Sequence, residues 1–266
     1  MTTQQPAYID ICVNLFSERF PDPEAVLARA AQNGIRCISV GCDMEGDRWN
    51  ARFVRGRQDV YGTAGIHPHD AKDMQEGDIE ELEDMFRSTP RLLAVGECGL
   101  DYERMYSPRE KQLQCFEAQI ALAEKLEKPL LLHERGAAED MYSIMKAHPA
   151  AAQRAVAHCF TGTAETVQEY LDLGMHIGIT GWVCDDRRNQ DLLAALPYIP
   201  LERMMVETDA PFLKPRKVRG THNIPNNIVW VVRRIAQERG IPEEEVRTAV
   251  LRTTTRFFGI PVQEIL

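Results

Sequence analysis

The strongest constraint on this chain is a rhythm. A short β-branched or leucine-rich run gives way to a polar loop and then to a longer stretch with helical periodicity, and the cycle repeats about eight times. The runs that predict strands are 8–13, 35–40, 60–65, 92–97, 129–133, 155–158, 176–180 and 204–208. Between them lie helical patterns such as "PDPEAVLARAAQNG", with proline near its start and Gly34 past its end. In "SPREKQLQCFEAQIALAEKLEK", Ser107 and Pro108 read as an N-cap and first-turn pair. Eight such units in 266 residues favour an α/β chain folded as a (β/α)8 TIM barrel, one domain over residues 1–266, because barrels of about 250 residues commonly run unbroken. A dinucleotide-binding sheet would want G-x-G-x-x-G after the first strand, and "DICVNLFSERF" has none. Two further helical patterns, 227–239 and 243–258, close the chain.

Polar residues interrupt the apolar strand ends. Asp10 and Asn14 flank the end of the first strand, His67 and His69 follow the third in "AGIHPHD", and Glu97 ends the fourth in "AVGECGLDY". His133 ends the fifth in "LLLHER", His158 the sixth in "VAHCF", and Asp209 follows the eighth in "VETDAP". Successive intervals match one or two strand–helix units, so a barrel gathers all of these residues on its C-terminal rim, where barrel enzymes keep their active sites. Two imidazoles and a carboxylate suit a divalent metal of borderline hardness and leave positions open for water and substrate. A catalytic metal site is therefore expected on this rim, built from Glu97 and two of these imidazoles, with Asp209 beside them. Strand alternation is expected to put Asp10, Cys12 and Asn14 on one face near this site, where Cys12 reads either as a small packing residue or as a thiolate ligand. Cys98 and Cys159 are expected to point away from the rim and pack.

Composition enters as an objection to one class of substrate. The formal net charge is −9, so the molecule as a whole repels polyanions, and a nucleic-acid substrate needs a local basic patch. The segment "KPRKVRGTHN" after the eighth strand supplies one candidate, with Lys214, Arg216, Lys217 and Arg219, at the usual barrel location for phosphate recognition. Tyr102, Phe160, Trp182 and Phe212 fall in loops after strands and are candidates for stacking on bases, Trp182 foremost because Arg187 and Arg188 follow it. Seven cysteines without a C-x-x-C pair read as reduced thiols. No apolar run approaches the roughly 18 residues of a membrane span, and the N-terminus lacks a signal-peptide pattern, so a cytoplasmic location without membrane contact is expected.

The motifs "AGIHPHD", "VGECGLDY", "LLLHERG", "AHCFTGT", "IGITGWVC" and "ETDAPFLKPR", in this order and spacing, resemble those of TatD-type metal-dependent deoxyribonucleases over nearly the whole chain. The resemblance implies a barrel of the metallo-dependent hydrolase type and a 3′–5′ exonuclease on single-stranded DNA and RNA. It makes Glu97, His133 and His158 metal ligands and places Asp209 at the attacking water or at a second metal. His67, His69 and Arg135 become substrate contacts, beside Lys214, Arg216 and Trp182. The implied cofactor is Mg2+, with Mn2+ or Zn2+ as alternatives, at one or two ions per chain, and the implied partner is the nucleic acid alone, bound by a monomer. Many relatives carry an H-x-H pair where this chain has Cys12 and Asn14, whereas the TatD branch reads D-x-G-x-N-L. Gly136 stands where many relatives carry aspartate. Two other functions fit the same barrel: hydrolysis of small C–N or ester substrates, and a metal-stabilised, non-catalytic role in nucleic-acid quality control.

Overall fold

The computed structural model describes residues 8–216 and 218–261; Lys217 of the basic segment lies outside them. Eight parallel strands are hydrogen-bonded in chain order: β1 (Tyr8–Val13), β2 (Ile35–Ser39), β3 (Val60–Ala64), β4 (Leu92–Asp101), β5 (Leu130–Arg135), β6 (Ala155–Ala157), β7 (His176–Ile179) and β8 (Met204–Val206). The ring closes between its first and last strands through the Val13–Ala210 bridge, with Asn14 N donating to Ala210 O at 2.8 Å and Asp209 N to Cys12 O at 3.0 Å. The helices are α1 (Pro23–Ala31), α2 (Met44–Val54), α3 (Asp78–Ser88), α4 (Arg109–Leu126), α5 (Ala138–Ala147), α6 (Pro149–Ala152), α7 (Ala164–Asp172), α8 (Gln190–Ala195), α9 (Ile228–Arg239) and α10 (Glu243–Phe258). This is the expected (β/α)8 barrel. Among the described residues no helix is long and apolar enough to cross a membrane.

Local chemistry sets the element starts. Asp22 accepts from Ala25 N ahead of Pro23 at α1, Asp43 accepts from Gly46 N at α2, and Thr163 accepts from Thr166 N at α7, each satisfying a donor that the first helical turn leaves unpaired. The expected cap of α4 is different. Ser107 is buried and its hydroxyl instead accepts from Lys72 N and donates to His69 O, while α4 starts at Arg109 without a side-chain cap. Inside the ring, Ile9, Ile11, Ile38, Tyr61, Leu131 and Met205 form one apolar layer, joined by Phe258, the last residue of α10, and Ile260 beyond it. A larger apolar cluster fills the space between the strands and the helices, as expected for parallel strands covered on both faces.

β4 departs most from the sequence expectation. It does not stop at Glu97 but runs on to Asp101, pairing Cys98 with Leu132 and Asp101 with Arg135 after the register with β5 slips between Val95 and Cys98. The glycines of "GECG" make this possible. Gly96 and Gly99 have φ of +135° and +137°, and a Cβ on Gly99 would lie 2.1 Å from the His133 carbonyl oxygen, a conformation and an approach that only glycine tolerates. Glu97 thus sits at a slip within a long strand.

Candidate metal centre

Four strand ends bring the polar residues together. Glu97 comes from β4, His133 from β5, and His158 from the residue just past β6, its N–H bonded to Leu132 O at 2.9 Å. Asp209 follows β8 in the left-handed region, at φ +54°. The Glu97 carboxylate is buried, and its Oε1 lies 2.9 Å from His133 Nδ1, 3.2 Å from His158 Nε2 and 3.2 Å from His67 Nε2. Three imidazoles thus face one carboxylate oxygen.

The far nitrogens decide what those rings can offer. His158 Nδ1 is 2.9 Å from Glu207 Oε2, and the other oxygen of Glu207 accepts from Cys159 N at 2.6 Å. His133 Nε2 is 3.3 Å from Asp101 Oδ2, the same oxygen that His69 Nε2 meets at 2.7 Å. Carboxylates at the far side fix these rings as donors there, so that a lone pair of His158 and one of His133 point at Glu97. Lone pairs facing a carboxylate at these distances need a proton or a cation between them. His67 differs: its Nδ1 accepts from His69 N at 3.1 Å, which leaves Nε2–H directed at Glu97.

The electrostatics follow from this arrangement. Burial pushes Glu97 up, but the surrounding imidazoles outweigh it and hold the carboxylate well below its ordinary range. His133 is pulled down by burial and then held above its usual value by Asp101 and Glu97; His158 is raised well above its own by Glu207, Cys12 and Glu97 against burial. His67, lowered by burial to about 4, stays neutral. Asp209 is pushed up to about 7 by burial, with His158 opposing and the Glu97 and Glu207 charges adding. Its Oδ1 accepts from Asn14 Nδ2 at 3.0 Å and lies 3.6 Å from Cys12 Sγ.

Three groups of side chains have ligand atoms within 4.8 Å of one another among the described residues: Cys12–Glu97–His158, His158–Cys159–Asp209 and His67–His69–His133. His133 therefore lies on one side of Glu97 and His158 with Asp209 on the other, Glu97 Oε1 joining them. Carboxylate oxygens, imidazole lone pairs and already committed far nitrogens fit a divalent cation on either side.

Some expected neighbours go elsewhere. The pairing of β1 with β2 slips between Asp10 and Val13, and Asp10 does not join Cys12 and Asn14: its carboxylate accepts from Thr208 N at 2.9 Å and from Thr208 Oγ1 at 2.5 Å. Cys98 packs in the core as expected. Cys159 does not turn away but lines the rim cavity, at φ +49°, because left-handed backbone breaks the strand alternation on which the expectation rested.

The centre opens into a cavity of about 890 Å3. Trp182 lines it with the Arg135 guanidinium 5.2 Å from its ring, and Phe212, Lys214 and His69 line it too. Arg135 is itself held by Glu103 at 2.5 and 3.0 Å. The Lys214 ammonium donates to Val218 O, and Arg216 is exposed outside the cavity lining. Phe160 is buried against Tyr170, and the Tyr102 hydroxyl is engaged by Asp140 at 2.6 Å, so neither offers a face to the cavity. Sequence reasoning missed Arg19 and Arg104, which supply cavity cations from other loops, and Tyr106, exposed with its ring 4.7 Å from that of His69. It also missed Asp101 and Glu207, although both stand in quoted motifs; an acid within four residues of a strand-end ligand was the available signal.

Comparison with known proteins agrees with this geometry. A profile described as "TatD related DNase" matches residues 9–259. A protein of Klebsiella pneumoniae (strain 342) named 3′-5′ ssDNA/RNA exonuclease TatD is 37% identical over 262 residues, spanning 96% of this chain and 99% of its own. One of the same name from Shigella flexneri serotype 5b is 38% identical over 257 residues, covering 94% and 98%. Among solved structures, a TatD homolog from Escherichia coli K12 superposes with a TM-score of 0.89 at 27% identity, covering 96% of this chain and 99% of that one. The rim geometry and these matches lead to one conclusion: the chain belongs to the TatD-related DNase family.

Proposed function

We propose that this protein is a metal-dependent 3′–5′ exonuclease that hydrolyses phosphodiester bonds in single-stranded DNA and RNA. The observation that carries the reading is Glu97 Oε1 at 2.9 to 3.2 Å from His133 Nδ1 and His158 Nε2, a carboxylate and two imidazoles close enough for a divalent cation to replace the protons between them. The polarity and substrates come from the relatives' names, 3′-5′ ssDNA/RNA exonuclease TatD, carried here by near full-length similarity.

Glu97, His133, His158 and Asp209 would hold one divalent cation or two. Such a cation, when bound, acidifies a water and polarises a phosphoryl oxygen. Asp209 is placed to accept a proton from the attacking water, and Asn14 holds its Oδ1 at 3.0 Å. His67 stays neutral and directs its Nε2–H at Glu97 Oε1, 3.2 Å away, which orients the carboxylate beside the place where a phosphate would enter. Arg135 and Trp182 together offer a charge for the backbone and a face for a base, a contact worth about 1–3 kcal/mol per base.

The test uses protein stripped of metal, resupplied with Mg2+, Mn2+ or Zn2+, and offered 5′-labelled single-stranded DNA, single-stranded RNA and duplex. Shortening from the 3′ end is expected, falling at least about 100-fold in Glu97→Ala and His133→Ala. Equal cleavage by wild type and variants overturns the proposal, as does hydrolysis of nucleotide esters with none of oligonucleotides.

A further inference from the structure

Three thiols stand around the centre, and they are not equivalent. Cys159 Sγ has Thr180 Oγ1 at 3.5 Å as its own partner. Cys42 Sγ lies 3.7 Å from Asn14 Oδ1 and 3.9 Å from Glu97 Oε2, and belongs to none of the cation-sized groups among the described residues. Cys159 Sγ belongs to the group with His158 and Asp209, and Cys12 Sγ to the one that contains Glu97. The Cys12 sulfur lies within 4.8 Å of ligand atoms of both Glu97 and His158 and 3.6 Å from Asp209 Oδ1.

Cys12, Glu97 and His158 are all buried, at 0%, 5% and 5% exposure, and Cys12 lies beneath the floor of the cavity that Glu97 and His158 line. A tetrahedral zinc ion with bonds of about 2.3 Å to sulfur and about 2.0–2.1 Å to nitrogen or oxygen sets its donors roughly 3.3–3.7 Å apart. The 3.6 Å between Cys12 Sγ and Asp209 Oδ1 falls within that spacing, and the 3.2 Å between Glu97 Oε1 and His158 Nε2 lies just below it. Without a cation the thiol donates to Asp209 Oδ1 at 3.6 Å; the same placement puts the sulfur among the donors that a bound cation would take.

We propose that Cys12 supplies a sulfur ligand to the cation held by Glu97, His158 and Asp209, making this a thiophilic site that takes Zn2+ or Co2+ in preference to Mg2+. The proposal rests on the reading of Glu97 and His158 as ligands and departs from the Mg2+ that the family resemblance implies. Mg2+ demands octahedral oxygen donors and keeps its waters, whereas thiolate and imidazole select zinc-like ions. A coordinating thiol gives up its proton to solvent when the ion arrives.

Co2+ titrated into the metal-stripped full chain under argon separates the two claims. Visible d–d absorption reports that the ion is bound, and a near-ultraviolet sulfur-to-cobalt charge-transfer band reports that sulfur is a ligand. Both are expected in the wild type. Cys12→Ser and Cys12→Ala lose the charge-transfer band and keep the d–d absorption, while Cys42→Ser and Cys159→Ser keep both. Zn2+ affinity, read by displacement of Co2+, falls in Cys12→Ser by more than the roughly 10–100-fold that loss of an outer partner costs, and a large excess of Mg2+ leaves the wild-type bands in place. Circular dichroism on each variant identifies any that is unfolded. Wild-type d–d absorption without a charge-transfer band, or a band that survives in Cys12→Ser, overturns the sulfur ligand and leaves the cation site intact. Absence of both bands in the wild type overturns the cation site itself.

Discussion

Each imidazole that offers a lone pair to Glu97 has its other nitrogen held by a carboxylate, and those holding residues are where the chemistry is most exposed to small changes. Glu207 receives His158 Nδ1 at 2.9 Å and Cys159 N at 2.6 Å, fixing ring and backbone together. Glu207→Gln keeps the size and removes the charge. It is expected to lower divalent-cation affinity about 10–100-fold with the fold intact, measurable by metal-displacement titration; unchanged affinity would show that the carboxylate does not tune the ring. The residues proposed as ligands were legible in the sequence because each stands at the end of an apolar run. Glu207 and Asp101 were not, because an outer partner is defined by which oxygen meets which ring, and that depends on register slips such as the one at Val95–Cys98. Cys159 was misread for a related reason: strand alternation stops at a left-handed residue.

At the scale of elements, α4 does more than cover β4. Gln112 and Gln119 lie seven residues apart, so they share one helical face, and both are buried. Gln112 accepts from Asp101 N at 2.7 Å and donates to Asp101 O at 3.0 Å; Gln119 accepts from Ile66 N at 2.8 Å and donates to Ile66 O at 2.9 Å. Each amide acts as a short strand pair for backbone beside the site, one at the end of β4 and one next to His67. Gln119→Leu leaves a buried N–H and C=O without partners. It is expected to destabilise the fold by about 1–3 kcal/mol, read as a lower urea midpoint, and to raise KM more than it lowers kcat; equal midpoints would mean that Ile66 finds other partners. The sequence announced α4 by its length and apolar spacing. It did not announce the glutamines, which read as ordinary polar helix residues until the opposing loop is in place.

For the molecule as a whole, the barrel was legible because period and order alone specify it, whereas the charge distribution around the cavity was not. The net charge of −9 is met at the cavity by Arg19, Arg104, Arg135 and Lys214, set among Asp43, Asp70, Glu134 and the acids of the centre; three of these cations come from loops and Arg135 from the end of β5, and they come together only once the ring closes. With four cations, the dependence of single-stranded DNA binding on log salt is expected to be no steeper than about −3, and Arg19→Ala with Arg104→Ala to flatten it by roughly 1.4; an unchanged slope would move the binding surface elsewhere. The opposite end of the barrel governs a different response. His176 is buried with its ring 4.6 Å from that of Phe257, and burial, reinforced by Arg203 and Arg256, lowers it to about 4. Its unfolded value near 6.5 is higher, so the unfolded chain binds the proton more readily: the stability is present above pH 6.5 and is lost as pH falls through 4. His176→Phe is expected to flatten the fall in urea midpoint between pH 7 and pH 4.5, and parallel curves would contradict the assignment. The central claim, that side chains from strands far apart in sequence converge on one cation, is tested most directly by anomalous diffraction at the absorption edge of a bound metal in crystals of this protein. The account predicts a peak within about 2.0–2.3 Å of Glu97 and His158; crystals grown with saturating metal that show no peak between these residues would contradict it.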